Sequence, residues 1–427
     1  MGIKNIKLNH NPNKALIRNI QNAGLYFFGS VLQGILALIA QPIYSLHLTA
    51  SEFGIIGYFG SIQSIFSPIF ILGMSSVYLM RYFKQGDDEN KKLLFNITFF
   101  VCCFNTVTIF VGYLCIYLYF KNMHVIIPLN PFGWFILVVL LFENIKSAVL
   151  INFRIRKKAF SFFTFSAVNS IFNFGLGILF VAYWEWGAIG RMLAPLISSI
   201  LLLPSCIYIL RKYTTINFNI SLFLNALKIA LPIVFASYAF VPIANIDVIL
   251  LERINNLAEL GLYSIGITIA GYIQLVFIAL SLAFEPDIFQ SVAEKNKKGL
   301  IRTGAIIFIP YLLAVLIFLM FSGNIISILT AGRYTAATHY TNIVLISVFL
   351  MGIFSFFTKI LIALEKTKLH LIVNSIGGVS AFIIMYLMVS KFAYLGAAYG
   401  RILISVVMIL LSSMFALYQL KKQGITV

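Results

Sequence analysis

From position 24 almost to the C-terminus, apolar stretches alternate with short polar turns. About 20 apolar residues in a helix cross the roughly 30 Å hydrocarbon core of a bilayer. The pattern predicts twelve such spans, at 24–45, 53–78, 93–120, 132–152, 160–183, 189–210, 227–250, 260–284, 303–322, 340–363, 369–390 and 394–418. The stretch 323–338 is expected to hold a short interfacial helix. Inside hydrocarbon every backbone N–H and C=O needs a partner in its own segment, so apolar runs of this length read as helices. The fold class expected is an all-α integral membrane protein, with loops too short for a separate extramembrane domain.

Composition strengthens that expectation. Of 427 residues, 61% are hydrophobic and 10% charged, and the mean hydropathy is +0.97. A soluble domain needs more polar surface than that. A net charge of +18 would suggest nucleic acid in a soluble chain, but here the cations follow the loops. Both termini and the loops at 81–92, 154–158, 211–228, 295–302 and 366–368 carry 23 lysines and arginines, whereas the alternate loops carry six: Lys121, Arg191, Arg253, Arg333, Lys391 and Arg401. By the positive-inside rule the basic side is cytoplasmic, and an even span count puts both termini there. Nucleic acid is therefore not an expected partner. The residues before position 24 are polar and basic and lack the pattern of a signal peptide.

The four cysteines lie in spans without a CxxC pair, and the five histidines have no ligand spacing. No P-loop, HExxH or serine elbow occurs. No catalytic residue, metal or cofactor is expected, and ATP hydrolysis is excluded as the driving chemistry.

The chain also repeats itself. Glu52-Phe53-Gly54-Ile55 opens the second span and Glu259-Leu260-Gly261-Leu262 the eighth. Gly187-Ala188-Ile189-Gly190-Arg191 enters the sixth span and Gly396-Ala397-Ala398-Tyr399-Gly400-Arg401 the twelfth. Ala15-Leu16-Ile17-Arg18 before the first span parallels Asn225-Ala226-Leu227-Lys228 before the seventh. Three matches at offsets of about 207 to 210 argue for two six-helix halves, 1–212 and 213–427. Six is even, so the halves run parallel, and such halves usually enclose a central cavity that opens alternately to each side.

The same segments resemble a known family. Ser51-Glu52-Phe53-Gly54, Leu227-Lys228-Ile229-Ala230-Leu231-Pro232, Asn245-Ile246-Asp247, Ala258-Glu259-Leu260-Gly261-Leu262-Tyr263-Ser264, Glu285-Pro286-Asp287-Ile288-Phe289 and Gly396-Ala397-Ala398 resemble polysaccharide flippases of the O-antigen transporter (Wzx) type. That family shares a superfamily with the multidrug MATE antiporters and the lipid II flippases. The resemblance implies a MATE-like arrangement and a bacterial inner-membrane location. It implies export of an undecaprenyl-diphosphate-linked oligosaccharide, with a polysaccharide polymerase and a chain-length regulator as partners beside the bilayer itself. It also implies that the first and seventh helices bend.

Ionisable residues within spans are costly and mark function or pairing. Glu143 and Lys146 share a helix face at i, i+3; they either neutralise each other or present Lys146 to an anionic headgroup. Asp247 either pairs, with Arg253 or with a residue of the other half, or titrates or binds a cation during transport. Arg191 and Arg401, at matching starts of the sixth and twelfth spans, either anchor at the interface or frame a cationic exit. Lys359 snorkels or lines the cytoplasmic vestibule, where Arg18 and Lys228 also belong. Pro42, Pro68, Pro232 and Pro242 permit bending. Trp184 and Trp186 either mark the periplasmic interface or stack on a sugar.

These residues support a secondary transporter, not an enzyme, whose halves rock around the cavity, driven by an ion gradient or by mass action from periplasmic polymerisation. Cations outnumber anions in and beside the spans, which suits an anionic cargo. The alternative is a MATE-like antiporter of small cationic compounds, which requires a more acidic cavity. A glycosyltransferase or polymerase would need a large periplasmic loop or an acidic catalytic motif, and neither is visible.

Overall fold

The structure, a computed structural model, describes residues 12–82 and 85–422, with the backbone alone for 12–23 and 30. Among the described residues, eleven helices are long and apolar enough to cross a membrane. The last, Thr367–Lys422, has 56 residues and would measure about 84 Å if straight. Ala393 interrupts it with φ 50° and ψ −128°. Gly377 before the break leaves no room for a Cβ beside Sδ of Met408 after it, and Gly396 packs as tightly on the Met388 carbonyl. Residues 377 and 408 would lie about 46 Å apart in one rod, so the chain reverses at Ala393 and crosses again. Twelve crossings result, as the hydropathy pattern predicts.

The expected short helix after the ninth span is present as Ser322–Leu329, and another, Glu285–Ala293, follows the eighth. The first and seventh spans, Pro12–His47 and Ile220–Glu252, run as single helices despite Pro42, Pro232 and Pro242. A break falls instead in the second, between Ala50–Ile71 and Met74–Tyr82. Leu72 adopts φ 50° and returns its N–H to the Pro68 carbonyl, and Gly73 follows at φ 59°. Asn105 and Asn144 amides, at 3.1 and 2.5 Å, donate to the carbonyl of Phe70. Without them that carbonyl would be orphaned at lipid depth.

The first six and last six spans meet along the second, seventh and eighth spans. On the face away from the lysine- and arginine-rich loops, a Cβ on Gly54 would lie 2.6 Å from the Leu257 carbonyl oxygen. Gly261 leaves no room for a Cβ against the Ala50 carbonyl, nor Gly57 against Ser264 Oγ. Small residues here let two backbones touch. Arg333 donates to the carbonyl oxygens of Ser45 (3.1 Å) and Leu46, and the Tyr334 hydroxyl donates to that of Leu48. These carbonyls end the first span, where a cation also suits the helix dipole. The seam on this face is closed.

On the basic face apolar and polar links combine: Ala226 and Ala230 are buried in a core shared with the second and third spans, and the Phe223 ring lies 5.4 Å from that of Phe100. Arg81 donates to the Asn225 carbonyl at 3.2 Å, and the Asn219 N–H to Asn96 Oδ1 at 2.8 Å. The closed seam generates a prediction. Gly261→Val forces the second and eighth spans apart and costs about 1–3 kcal/mol of packing. Thermal unfolding in detergent should show a lowered midpoint; an unchanged midpoint would mean that the seam spreads freely.

Candidate functional site

Four spans of the first half build a polar cavity. The first span contributes Gln33, the second Ser75, the fourth Glu143, Lys146 and Arg154, and the fifth Asn169, around about 490 Å³. The cavity lies toward the basic face, because the fourth span ends there and the fifth begins there. Lys146 is 5% exposed, and its Nζ lies 2.6 Å from Glu143 Oε1 and 3.2 Å from Asn169 Oδ1. The pair predicted from i, i+3 spacing is therefore made, but unequally: the Glu143 side chain stays 45% exposed. Ser75 and Ser147 hydroxyls meet at 2.9 Å on the same wall. Arg154 lies 5.9 Å from the Phe162 ring centroid and makes no ion pair among the described residues. Sequence reasoning placed Arg154 in a loop. Its spacing of eight residues from Lys146 puts both on one stripe of the helix, and that signal was available.

The second cluster crosses the last six spans. Asp247 Oδ2 accepts from Arg401 Nε at 2.6 Å and from the Tyr263 hydroxyl at 2.5 Å. Arg401 Nε also reaches the Tyr263 oxygen at 3.3 Å, and Nη2 donates to the Ala244 carbonyl at 3.0 Å. The Asp247 side chain is 2% exposed. A lone carboxylate at that depth would be prohibitive, and a hydrogen-bonded pair offsets much of the cost. Sequence reasoning offered Arg253 or the other half as partner. The structure corrects this: Arg253, six residues on and past the helix end, points elsewhere and donates to Met123 Sδ at 3.3 Å. Arg401 stands between two further cavities. One, of about 220 Å³, lies among the second, seventh, eighth and twelfth spans with Gly57, Ser61 and Asn245. The other, of about 300 Å³, includes Gln274, Ser347 and Ser405.

The remaining candidates stay apart. Lys359 pairs with Glu285 at 3.3 Å and donates to the Ser281 carbonyl at 3.4 Å. Arg191 lies over the rings of Tyr44 (4.9 Å) and Phe174 (5.6 Å), with no carboxylate in ion-pair range among the described residues. Lys228 is exposed at the start of the seventh span, in a shallow groove with Leu224 and Leu231. Arg18 belongs to the first helix, but its side chain lies outside the described residues. Sequence reasoning missed the carboxylates that tie the far face. Glu52 accepts from the Ala188 N–H at 2.9 Å, Glu252 from the Ile126 N–H at 3.2 Å, and Glu259 from the Tyr340 hydroxyl. Among the described residues no group of three His, Cys, Asp or Glu could hold a metal ion.

The buried pair yields a prediction with a sign. Asp247→Asn or Arg401→Met alone leaves an uncompensated polar group and should cost about 3–5 kcal/mol. The double variant should recover most of that loss, read as folded protein extracted from membranes. Additive losses would show that the two residues act independently.

Comparison with known proteins follows from this geometry. A family model described as polysaccharide biosynthesis protein matches residues 47–280, and one described as MatE matches 232–387. No curated protein matches. Among solved structures, the lipid II flippase MurJ in an inward closed conformation superposes with a TM-score of 0.73 at 16% identity, covering 91% of this chain and 87% of that one. An inward-facing multidrug resistance MATE family transporter of the MOP superfamily gives 0.63 at 13% identity, covering 94% and 99%. A mutant of the Vibrio cholerae MATE transporter VcmN gives 0.57 at 16%, covering 95% and 96%. At such identities the structures speak for the fold, while the family match spans more than half of the sequence: the chain belongs to the polysaccharide biosynthesis protein family and has the MATE- and MurJ-type transporter fold.

Proposed function

We propose that this protein translocates an undecaprenyl-diphosphate-linked oligosaccharide repeat unit, of an O-antigen or similar surface polysaccharide, from the cytoplasmic to the periplasmic leaflet of a bacterial inner membrane. The observation that carries the reading is the charge of the cavities. The charged residues lining the 490, 220 and 300 Å³ cavities are three cations and one carboxylate: Lys146 is paired with Glu143 and Arg401 with Asp247 behind it, which leaves Arg154 in no ion pair among the described residues. A diphosphate cannot enter hydrocarbon bare and needs such a path of polar and cationic donors. The basic face is the cytoplasmic one in this reading, so the cavity holding Lys146 and Arg154 receives the head while the polyprenyl tail stays in lipid. The closed seam at Gly54, Gly57 and Gly261 is then the periplasmic gate, and the halves 1–212 and 213–427 rock about it without ATP.

The MatE match over 232–387 favours the alternative, antiport of small cationic compounds. The unpaired Arg154, with no unpaired carboxylate beside it in the cavities, weighs against it, because a cationic cargo would meet like charge.

Deletion of the gene should accumulate the lipid-linked repeat unit on the cytoplasmic leaflet and deplete surface polysaccharide. Unchanged glycan with altered sensitivity to cationic drugs would instead establish antiport. Lys146→Gln should slow export roughly tenfold, equivalent to about 1.4 kcal/mol. Its abundance should hold, because Glu143 is already half exposed and can stay hydrated, and Lys146→Arg should retain export.

A further inference from the structure

The turn between the fifth and sixth spans lines none of the cavities above and joins none of the charge pairs, yet it carries two of the chain's three tryptophans. The fifth span ends in a π-helical turn, Leu179–Tyr183, a widened geometry that recurs at functional sites. The Trp184 N–H returns to the Leu179 carbonyl at 3.0 Å and that of Trp186 to the Phe180 carbonyl at 2.9 Å. Both indoles therefore come back over the buried Phe180 ring. Trp184 stacks on it at 5.1 Å and 12°, Trp186 at 5.3 Å and 28°, and the indoles lie 4.8 Å apart, inclined by 39°.

The outward faces stay open: each indole is 45% exposed, and Glu185 between them is also exposed, held at φ 56°. The turn is clamped as well. Glu52 accepts from the Ala188 N–H, and Gly187, at φ 56°, leaves no room for a Cβ beside that carboxylate. Glu52 sits in the first turn of the second span, beside the Leu48 and Ala50 carbonyls that touch Tyr334 and Gly261 at the closed seam. The indole pair is thus one side chain removed from the gate.

A tryptophan that merely anchors at the interface needs an apolar body and a polar tip. It needs neither a floor ring nor a fixed tilt. Here two ring faces are ordered before any ligand arrives, which removes the ordering cost that weak ligands otherwise meet. A pyranose presents an apolar C–H face that stacks on an indole, and hydroxyls at its edge that need acceptors and donors. Glu185 and the indole N–H groups are of that type.

We propose that Trp184 and Trp186 form a carbohydrate-stacking platform at the periplasmic rim, which takes a pyranose ring of the oligosaccharide as it leaves the seam, with Glu185 accepting hydrogen bonds from ring hydroxyls. The platform rests on the reading of an oligosaccharide-bearing cargo. Stacking reads the C–H face more than any single hydroxyl, so chitotriose serves as the probe. With the full chain in lipid nanodiscs, saturation-transfer NMR should show transfer to the probe's ring protons. Transfer should fall roughly tenfold or more in Trp184→Ala/Trp186→Ala. It should persist in Trp184→Phe/Trp186→Phe, which keeps the ring faces, and in Trp134→Phe, which alters the tryptophan outside the platform.

Absence of transfer in the parent protein, or undiminished transfer in the double alanine variant, overturns the proposal. The leaflet assay separates this from the broader reading. A lipid-linked intermediate that accumulates on deletion, with no stacking, sinks the platform alone. Stacking without such accumulation leaves the platform standing and sinks the flippase.

Discussion

Asp247 places a carboxylate among helices with almost no exposure, and Arg401 and Tyr263 are what make that position tenable. Three spans of the second half, the seventh, eighth and twelfth, are tied by one oxygen atom that accepts from both partners. Hydrocarbon enforces the arrangement, since a lone charge there has no water to fall back on. Arg401 also borders two cavities. Any anion that approaches it must compete with Asp247, so the pair sets the electrostatic terms on which the centre of the molecule can be entered. Lys146 and Glu143 obey the same constraint in the first half with a looser solution, one partner buried and the other half exposed.

The two faces of the molecule are held by different means. Away from the basic loops, glycines let backbones touch, and Arg333 and Tyr334 cap the carbonyls that end the first span. Dispersion at contact distance and capped carbonyls are both short-range, so this seam holds only while it is shut. At the basic face, hydrogen bonds at Arg81 and Asn96 join the halves beside an apolar core that includes Phe223, Ala226 and Ala230. Water can replace those bonds at little cost. The hydrogen bonds of the basic face are thus exchangeable with water, whereas its apolar core, like the far seam, holds by contact.

The twelve spans were legible in the sequence because bilayer thickness dictates their length and hydrocarbon dictates their helicity. The Glu143–Lys146 contact was legible for a local reason, three residues of helix. The Asp247–Arg401 contact was not: 154 residues separate the two, and no periodicity links helices so far apart. The break in the second span was also missed. Pro68 marked a bend, but the deciding residues are the left-handed Leu72–Gly73 step and the distant Asn105 and Asn144. For Trp184 and Trp186 the sequence left interface marking and sugar stacking as alternatives; their shared stacking on Phe180 depends on a π-turn that hydropathy cannot register.

That break has a mechanical consequence. Ile71 and Ser75, on either side of it, both line the 490 Å³ cavity, while Gly54 at the far end of the same span is locked in the seam. A continuous rod would carry any displacement at Ser75 straight to Gly54, about 30 Å away. With the axis interrupted at Leu72–Gly73, the segment Met74–Tyr82 can swing as a separate lever about the asparagine-held carbonyl. The cavity wall at Ser75 is thus a separate helical element from the backbone contact at Gly54.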